Sequence, residues 1–159
     1  MLGSSTAMLS GEAMVFVIKA EVGDHNAASF TFTAQKTMYG GKHIATGDTV
    51  YLFDGRSPGG LGLFAVGIVT AAKRDPKFPG VARQTPRVSV AVRRTALATR
   101  SLGRSELTRF TDWGDGRPET ELNFKFYRQA TNKIGGVSDK VSAYLHTFFA
   151  MENERRSRR

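Results

Sequence analysis

The sequence predicts an α+β fold: a closed or nearly closed mixed β-barrel with flanking helices, including a C-terminal amphipathic helix. Three observations carry this expectation. Six stretches read as strands, by β-branched runs or by period-two alternation. Gly- and Pro-bearing turns separate them without the intervening helices of βαβ units. A single helical periodicity stands near the C-terminus.

The elements follow in chain order. Residues 1–12 are small and polar and are expected to be disordered. Met14 to Ala20 is the first strand. Ala28 to Thr33 alternates Phe30 and Phe32 against Ser29, Thr31 and Thr33, the pattern of a half-buried strand. Ala34 to Met38 is expected to form a short helical turn, which Tyr39-Gly40-Gly41 ends. Thr49 to Phe53 and Leu61 to Thr70 flank Asp54 to Gly60, a seven-residue run of turn formers, and so predict a hairpin. The next segment is basic, with three Pro in eleven residues, and reads as a loop. Arg87 to Thr95 places Val88, Val90 and Val92 on one face. Residues 96–110 are irregular, with one helical turn near Glu106. Thr111 to Pro118 is a loop that holds Trp113. Glu121 to Arg128 alternates Leu122, Phe124 and Phe126 and is expected to be the sixth strand. Ser138 is the expected N-cap of a helix whose Val141, Tyr144, Leu145, Phe148 and Phe149 share a face. Residues 13–150 are thus read as one domain, and 151–159 as a basic charged tail.

Composition narrows the function classes. Cys is absent, which removes disulfides, thiolate metal sites and a Cys nucleophile. No apolar run approaches the length of a membrane span, and the N-terminus lacks a secretory signal pattern, so a cytoplasmic, membrane-free protein is expected. The net charge is +9, and residues 73–109 hold ten basic against two acidic groups. Such clustering is the electrostatic footprint of a polyanion binder, although a solubilising face gives the same pattern.

Enzyme signatures fail. His25, His43 and His146 form no close pair. Gly60-Leu61-Gly62-Leu63-Phe64-Ala65 matches a dinucleotide fingerprint in letters, but a strand pattern follows it where a helix is required. No metal or cofactor is expected.

The order of the pieces resembles the EVE-type branch of the PUA-like domains, relatives of the YTH and ASCH domains. The residues that carry the likeness are the first strand (MVFVIKA), the Gly-Asp turn into a strand (GDTVYLF), the Gly-rich loop and a second strand ending GIVTAA. RVSVAV, SELT and FKFYRQ before a C-terminal helix complete it. Phe16 stands where the family usually has Trp, and the basic segment 73–86 is longer than the family pattern. The resemblance implies a twisted mixed barrel that recognises nucleic acid, DNA or RNA, through a pocket for a modified or flipped base.

Two stretches interleave aromatic and basic residues. In and just after Thr111 to Arg128, Trp113, Lys125, Tyr127 and Gln129 are base-binding candidates, with Asn123 a second amide for reading a base edge. Phe124 and Phe126 read as core, and Trp113 fits packing and stacking equally. In Ser29 to Tyr39, the resemblance assigns pocket-lining roles to Ser29, Phe30, Lys36 and Tyr39, where the bare pattern also fits a core strand. Arg83, Arg87, Arg93, Arg94 and Arg128, with Arg56 on the hairpin loop, are the phosphate candidates. Arg100, Arg104 and Arg109 extend that cluster, and Arg56 and Ser57 also fit plain solvation. The alternatives are a small-molecule or protein-interaction barrel and, third, a metal-dependent nuclease-like hydrolase with Glu106 or Asp112 as base.

Overall fold

The computed structural model describes residues 14–55, 62–127 and 132–149. The expectations for the two termini and for the tip of the central hairpin lie outside those residues. Six strands close into a barrel: β1 (Val15–Ala20), β2 (Ser29–Met38), β3 (Thr49–Asp54), β4 (Gly62–Arg74), β5 (Arg87–Leu97) and β6 (Lys133–Gly136). Around the barrel they run β1-β3-β4-β5-β2-β6. The β1–β3 and β2–β6 pairs are parallel and the others antiparallel, so the barrel is mixed.

Alternation decides the two faces of each strand. Phe16, Ile18, Val50, Leu52, Val88, Val90, Val92 and Ile134 turn inward and pack one core. Val17, Tyr51, Phe53 and Leu63 turn outward, yet they too are buried, because helices cover that flank. The cover consists of α1 (Arg104–Leu107), α2 (Pro118–Leu122) and α3 (Asp139–His146). Ser138 caps α3 by accepting a hydrogen bond from the Val141 amide. The α3 helix stops at His146, short of the full apolar pattern. Phe148 and Phe149 nevertheless reach the same cluster from the turn that follows.

Two sequence expectations need correction. The first concerns Ala34 to Met38, which is strand, not helical turn. A bulge between Phe32 and Gln35, with Ala34 at φ 50° and its amide bonded to Ser89 Oγ, shifts the β2–β5 register, and pairing with β5 resumes at Gln35 and Lys36. The other edge of β2, from Lys36 to Met38, pairs with β6. The second concerns Glu121 to Arg128. Residues Pro118–Leu122 are α-helical and Asn123–Tyr127 form a π-helical turn. Pro118 at the first helical position and Glu119 and Glu121 in the first turn are helix-start signals that outweigh the apparent alternation. The sixth strand is instead the short KIGG segment.

Leu145 is fully buried between the outer sheet face and the helical layer. Leu145→Ala is expected to lower the unfolding free energy by about 2–5 kcal/mol, read from the urea midpoint at unchanged slope.

Candidate nucleic-acid interface

Strand register brings four cations into one row. Arg87 on β5 lies opposite Lys36 on β2, Lys36 opposite Lys133 on β6, and Lys133 opposite Lys19 on β1. Their strand neighbours Val88, Ile134 and Ile18 point into the barrel, so all four side chains stand on its outside. Lys36 is exposed, Arg87 and Lys133 are half-buried, and Lys19 is buried. At about 4.8 Å between strands, the row spans roughly 14 Å.

The row gathers like charge. Burial pushes the Lys133 ammonium below its ordinary range, and the charges of Lys36 and Arg87 push it further the same way. Arg87 is held in place by donating from Nη1 to the Ala34 carbonyl at 3.2 Å. Among the described residues, neither His25–Asp54, Arg117–Asp115 nor Lys125–Glu121 takes in Lys36, Arg87 or Lys133, which have no carboxylate partner. Like charges facing one another across strands destabilise a sheet, which an arriving anion reverses.

Beside the row, the chain turns at Tyr39, which has φ 51° and is half exposed. Its carbonyl accepts from the Gly136 amide, and the Lys125 ammonium sits over its ring at 4.8 Å. Lys125 also pairs with Glu121 at 3.0 Å, and Glu121 takes both the amide and the hydroxyl of Ser138. Burial raises the Glu121 carboxyl, but the Ser138 and Lys125 hydrogen bonds and the Lys125 charge outweigh it and leave it below the usual range. Trp113 is 69% exposed and meets the Phe124 ring edge-on at 4.3 Å. Asp112 and Asp115 close the turns that hold its loop, by accepting from the amides of Gly114 and Arg117.

The remaining candidates do not converge on one place. Ser29 and Phe30 sit at the opposite end of β2 from Lys36, about 20 Å away along the strand. Phe30 packs against Phe32 and Phe64 rather than standing free. Asn123 is buried and donates to the Phe110 carbonyl, so its amide is already engaged. Arg83 is exposed in the loop between β4 and β5, and Arg93 is exposed opposite Ser29. Arg94 lines a different feature, a groove of about 740 Å³ bordered by Tyr51, Thr95, Ser142, His146 and Phe149. There a bulge leaves Thr95 unpaired between Arg94 and Ala96. Arg100 and Arg109 lie over the rings of Phe148 and Phe110. Arg56, Arg128 and Gln129, and the side chains of Arg104 and Tyr127, lie outside the described residues. Glu106 accepts from the Gly103 amide at 2.6 Å, a local capping role.

Sequence reasoning missed Lys19 and Lys133, whose alignment depends on a strand that was not anticipated. It also missed a buried carboxylate at the end of β3: Asp54 Oδ2 lies 2.6 Å from His25 Nε2, and the His25 ring stacks on Phe64 at 4.4 Å. Only the position of Asp54, at the boundary between strand and loop, hinted at it.

Removing one charge from the row is expected to stabilise the ligand-free fold. Lys133→Gln should raise the unfolding free energy by about 0.2–1 kcal/mol in low salt. The Lys133 ammonium is held below its ordinary range, so the folded state carries a penalty while the group is charged. That penalty fades as pH rises through the lowered value towards the unfolded one. The gain from Lys133→Gln should therefore shrink at high pH, and in high salt by screening, in urea melts.

No protein-family model and no curated protein matches the sequence. Solved structures do match the fold. The human THYN1 protein in complex with DNA containing 5-methylcytosine superimposes with a TM-score of 0.61 at 12% identity, over 85% of this chain and 96% of that one. The DUF55 domain of human thymocyte nuclear protein 1 gives 0.60 at 12% identity, over 84% and 96%. A protein from Leishmania major gives 0.59 at 16% identity, over 91% and 97%. The chain therefore has the EVE-type, PUA-like fold of the THYN1/DUF55 structures, a six-stranded mixed barrel with flanking helices.

Proposed function

We propose that this protein is a nucleic-acid-binding module, not an enzyme. It holds the phosphate backbone along the Arg87–Lys36–Lys133–Lys19 row and takes one base, modified or flipped, beside it. The row is the observation that carries the reading: aligned cations, three of them with no carboxylate partner among the described residues. The binding of 5-methylcytosine DNA by a protein of the same fold supports it. Tyr39, with its exposed ring next to the row, and Trp113 on its loop supply faces for stacking. Lys125 orients the Tyr39 ring, and Ser29 and Arg93 form a separate contact at the far end of β2. Arg83 extends the backbone track from the loop that leads into Arg87.

A second reading follows from the groove beside α3. Its size suits a small molecule, and Arg94, His146, Phe149 and four hydroxyl-bearing side chains, Thr49, Tyr51, Thr95 and Ser142, line it. It favours a small organic anion as ligand. Titration with nucleoside monophosphates separates this reading from the first when variants are compared: Arg94→Gln should weaken binding in the groove and Lys36→Gln should not.

Salt dependence tests the leading proposal. Neutralising three phosphates, one each at Arg87, Lys36 and Lys133, should give a log–log slope of about −2.7 on duplex and about −2.1 on a single strand. Lys36→Gln should make the slope shallower by roughly one such increment. Fluorescence anisotropy with matched DNA and RNA oligonucleotides, with and without 5-methylcytosine, reads slope and base preference together. Binding that ignores salt would remove the proposal.

A further inference from the structure

The loop between β4 and β5 is built, not slack. Asp75 and Arg87 close its base, with the Asp75 amide bonded to the Arg87 carbonyl at 3.0 Å. Thr37 pins its C-terminal end, next to that base, by donating from both its amide and its hydroxyl to the Pro86 carbonyl. Within the loop, the Gln84 side chain acts as a clasp. Its Oε1 accepts from the Phe78 amide, and its Nε2 donates to the carbonyls of Phe78 and Val81, all at 2.8 Å. Gly80 at φ 81° makes the turn between them, flanked by Pro76, Pro79 and Pro86.

This ordered turn holds up two apolar side chains. Phe78 is 63% exposed and Val81 51% exposed, and Phe78 makes no ring contact among the described residues. Exposed cations flank them: Lys73 and Lys77 on one side and Arg83 on the other. The one acidic residue of the loop, Asp75, is occupied by the Ser89 hydroxyl at 3.0 Å. Pre-organising an aromatic face in water, among cations, makes a platform for a flat, polyanionic ligand.

We infer that the clasped loop is a stacking finger for single-stranded nucleic acid: Phe78 takes the face of an unpaired base while Lys77 and Arg83 meet the adjoining phosphates. The loop springs from Arg87, so the finger continues the cationic row and rests on the nucleic-acid reading. Its preference for unpaired bases is a property the row alone does not confer.

The test uses the full chain and fluorescein-labelled twelve-nucleotide probes of mixed sequence: single-stranded DNA, the same sequence as RNA, and a blunt DNA duplex. Phe78→Ala should weaken single-strand binding roughly 5- to 150-fold, with the salt slope unchanged and duplex binding little altered. Phe78→Trp should restore affinity, and Gln84→Ala should weaken binding by loosening the clasp. Phe78 is exposed, so its variants should melt like the parent, which a thermal scan checks. Equal affinity of Phe78→Ala and parent for both single strands overturns the finger and leaves the row intact, provided Lys36→Gln still flattens the slope. Absence of binding by the parent chain to every probe overturns both.

Discussion

The closure of the barrel by four residues holds the rest together. β6 is only Lys133–Gly136, yet it pairs with β1 on one edge and β2 on the other. Without it both strands would expose a row of unpaired backbone donors and acceptors. The closing segment is short and Gly-rich for a steric reason. A Cβ on Gly136 would stand 2.6 Å from the Tyr39 carbonyl, where only hydrogen fits. Ile134 alone of the four reaches the interior, and it is fully buried. The same closure sets Lys133 between Lys36 and Lys19, so the fold's last pairing also assembles its densest positive charge.

Charge and burial pull against each other along that row. Cross-strand repulsion and partial desolvation work against the folded chain, while the inward neighbours Val88, Ile134 and Ile18 hold the strands in register regardless. A site whose electrostatic strain is relieved by its ligand gains affinity from that relief. The helical flank works in the opposite sense. There Glu121 gathers Lys125 and Ser138, so its charges are satisfied internally and tie α2 to the start of α3.

Strands with strong side-chain alternation were legible from the chain. RVSVAV kept its expected face, because Val at period two leaves one way to bury it, and the apolar run GDTVYLF formed the expected hairpin strand, buried on both faces. The N-cap at Ser138 was equally plain. Two places misled. FKFY alternates in letters but is helical, since Pro118 and its acidic first turn start a helix that runs on into a π turn. KIGG carries almost no propensity of its own and becomes a strand only because two edges await it. Of the row, the basic excess was visible, Arg87 was named as a phosphate contact and Lys36 only as a pocket residue. Lys133 was not, since its partners lie far away in sequence.

Sequence alone determined the class of fold, the inward faces of β2 and β5 and the concentration of positive charge in the middle of the chain. These follow from local periodicity and composition, which need no knowledge of distant neighbours. Tertiary structure decided which cations stand together. Arg87 and Arg94 are seven residues apart on one strand, yet one joins the row and the other borders the groove beside α3. Register across four strands made that choice, because hydrogen-bond pairing between remote segments is a property of the closed barrel and not of any stretch of its chain.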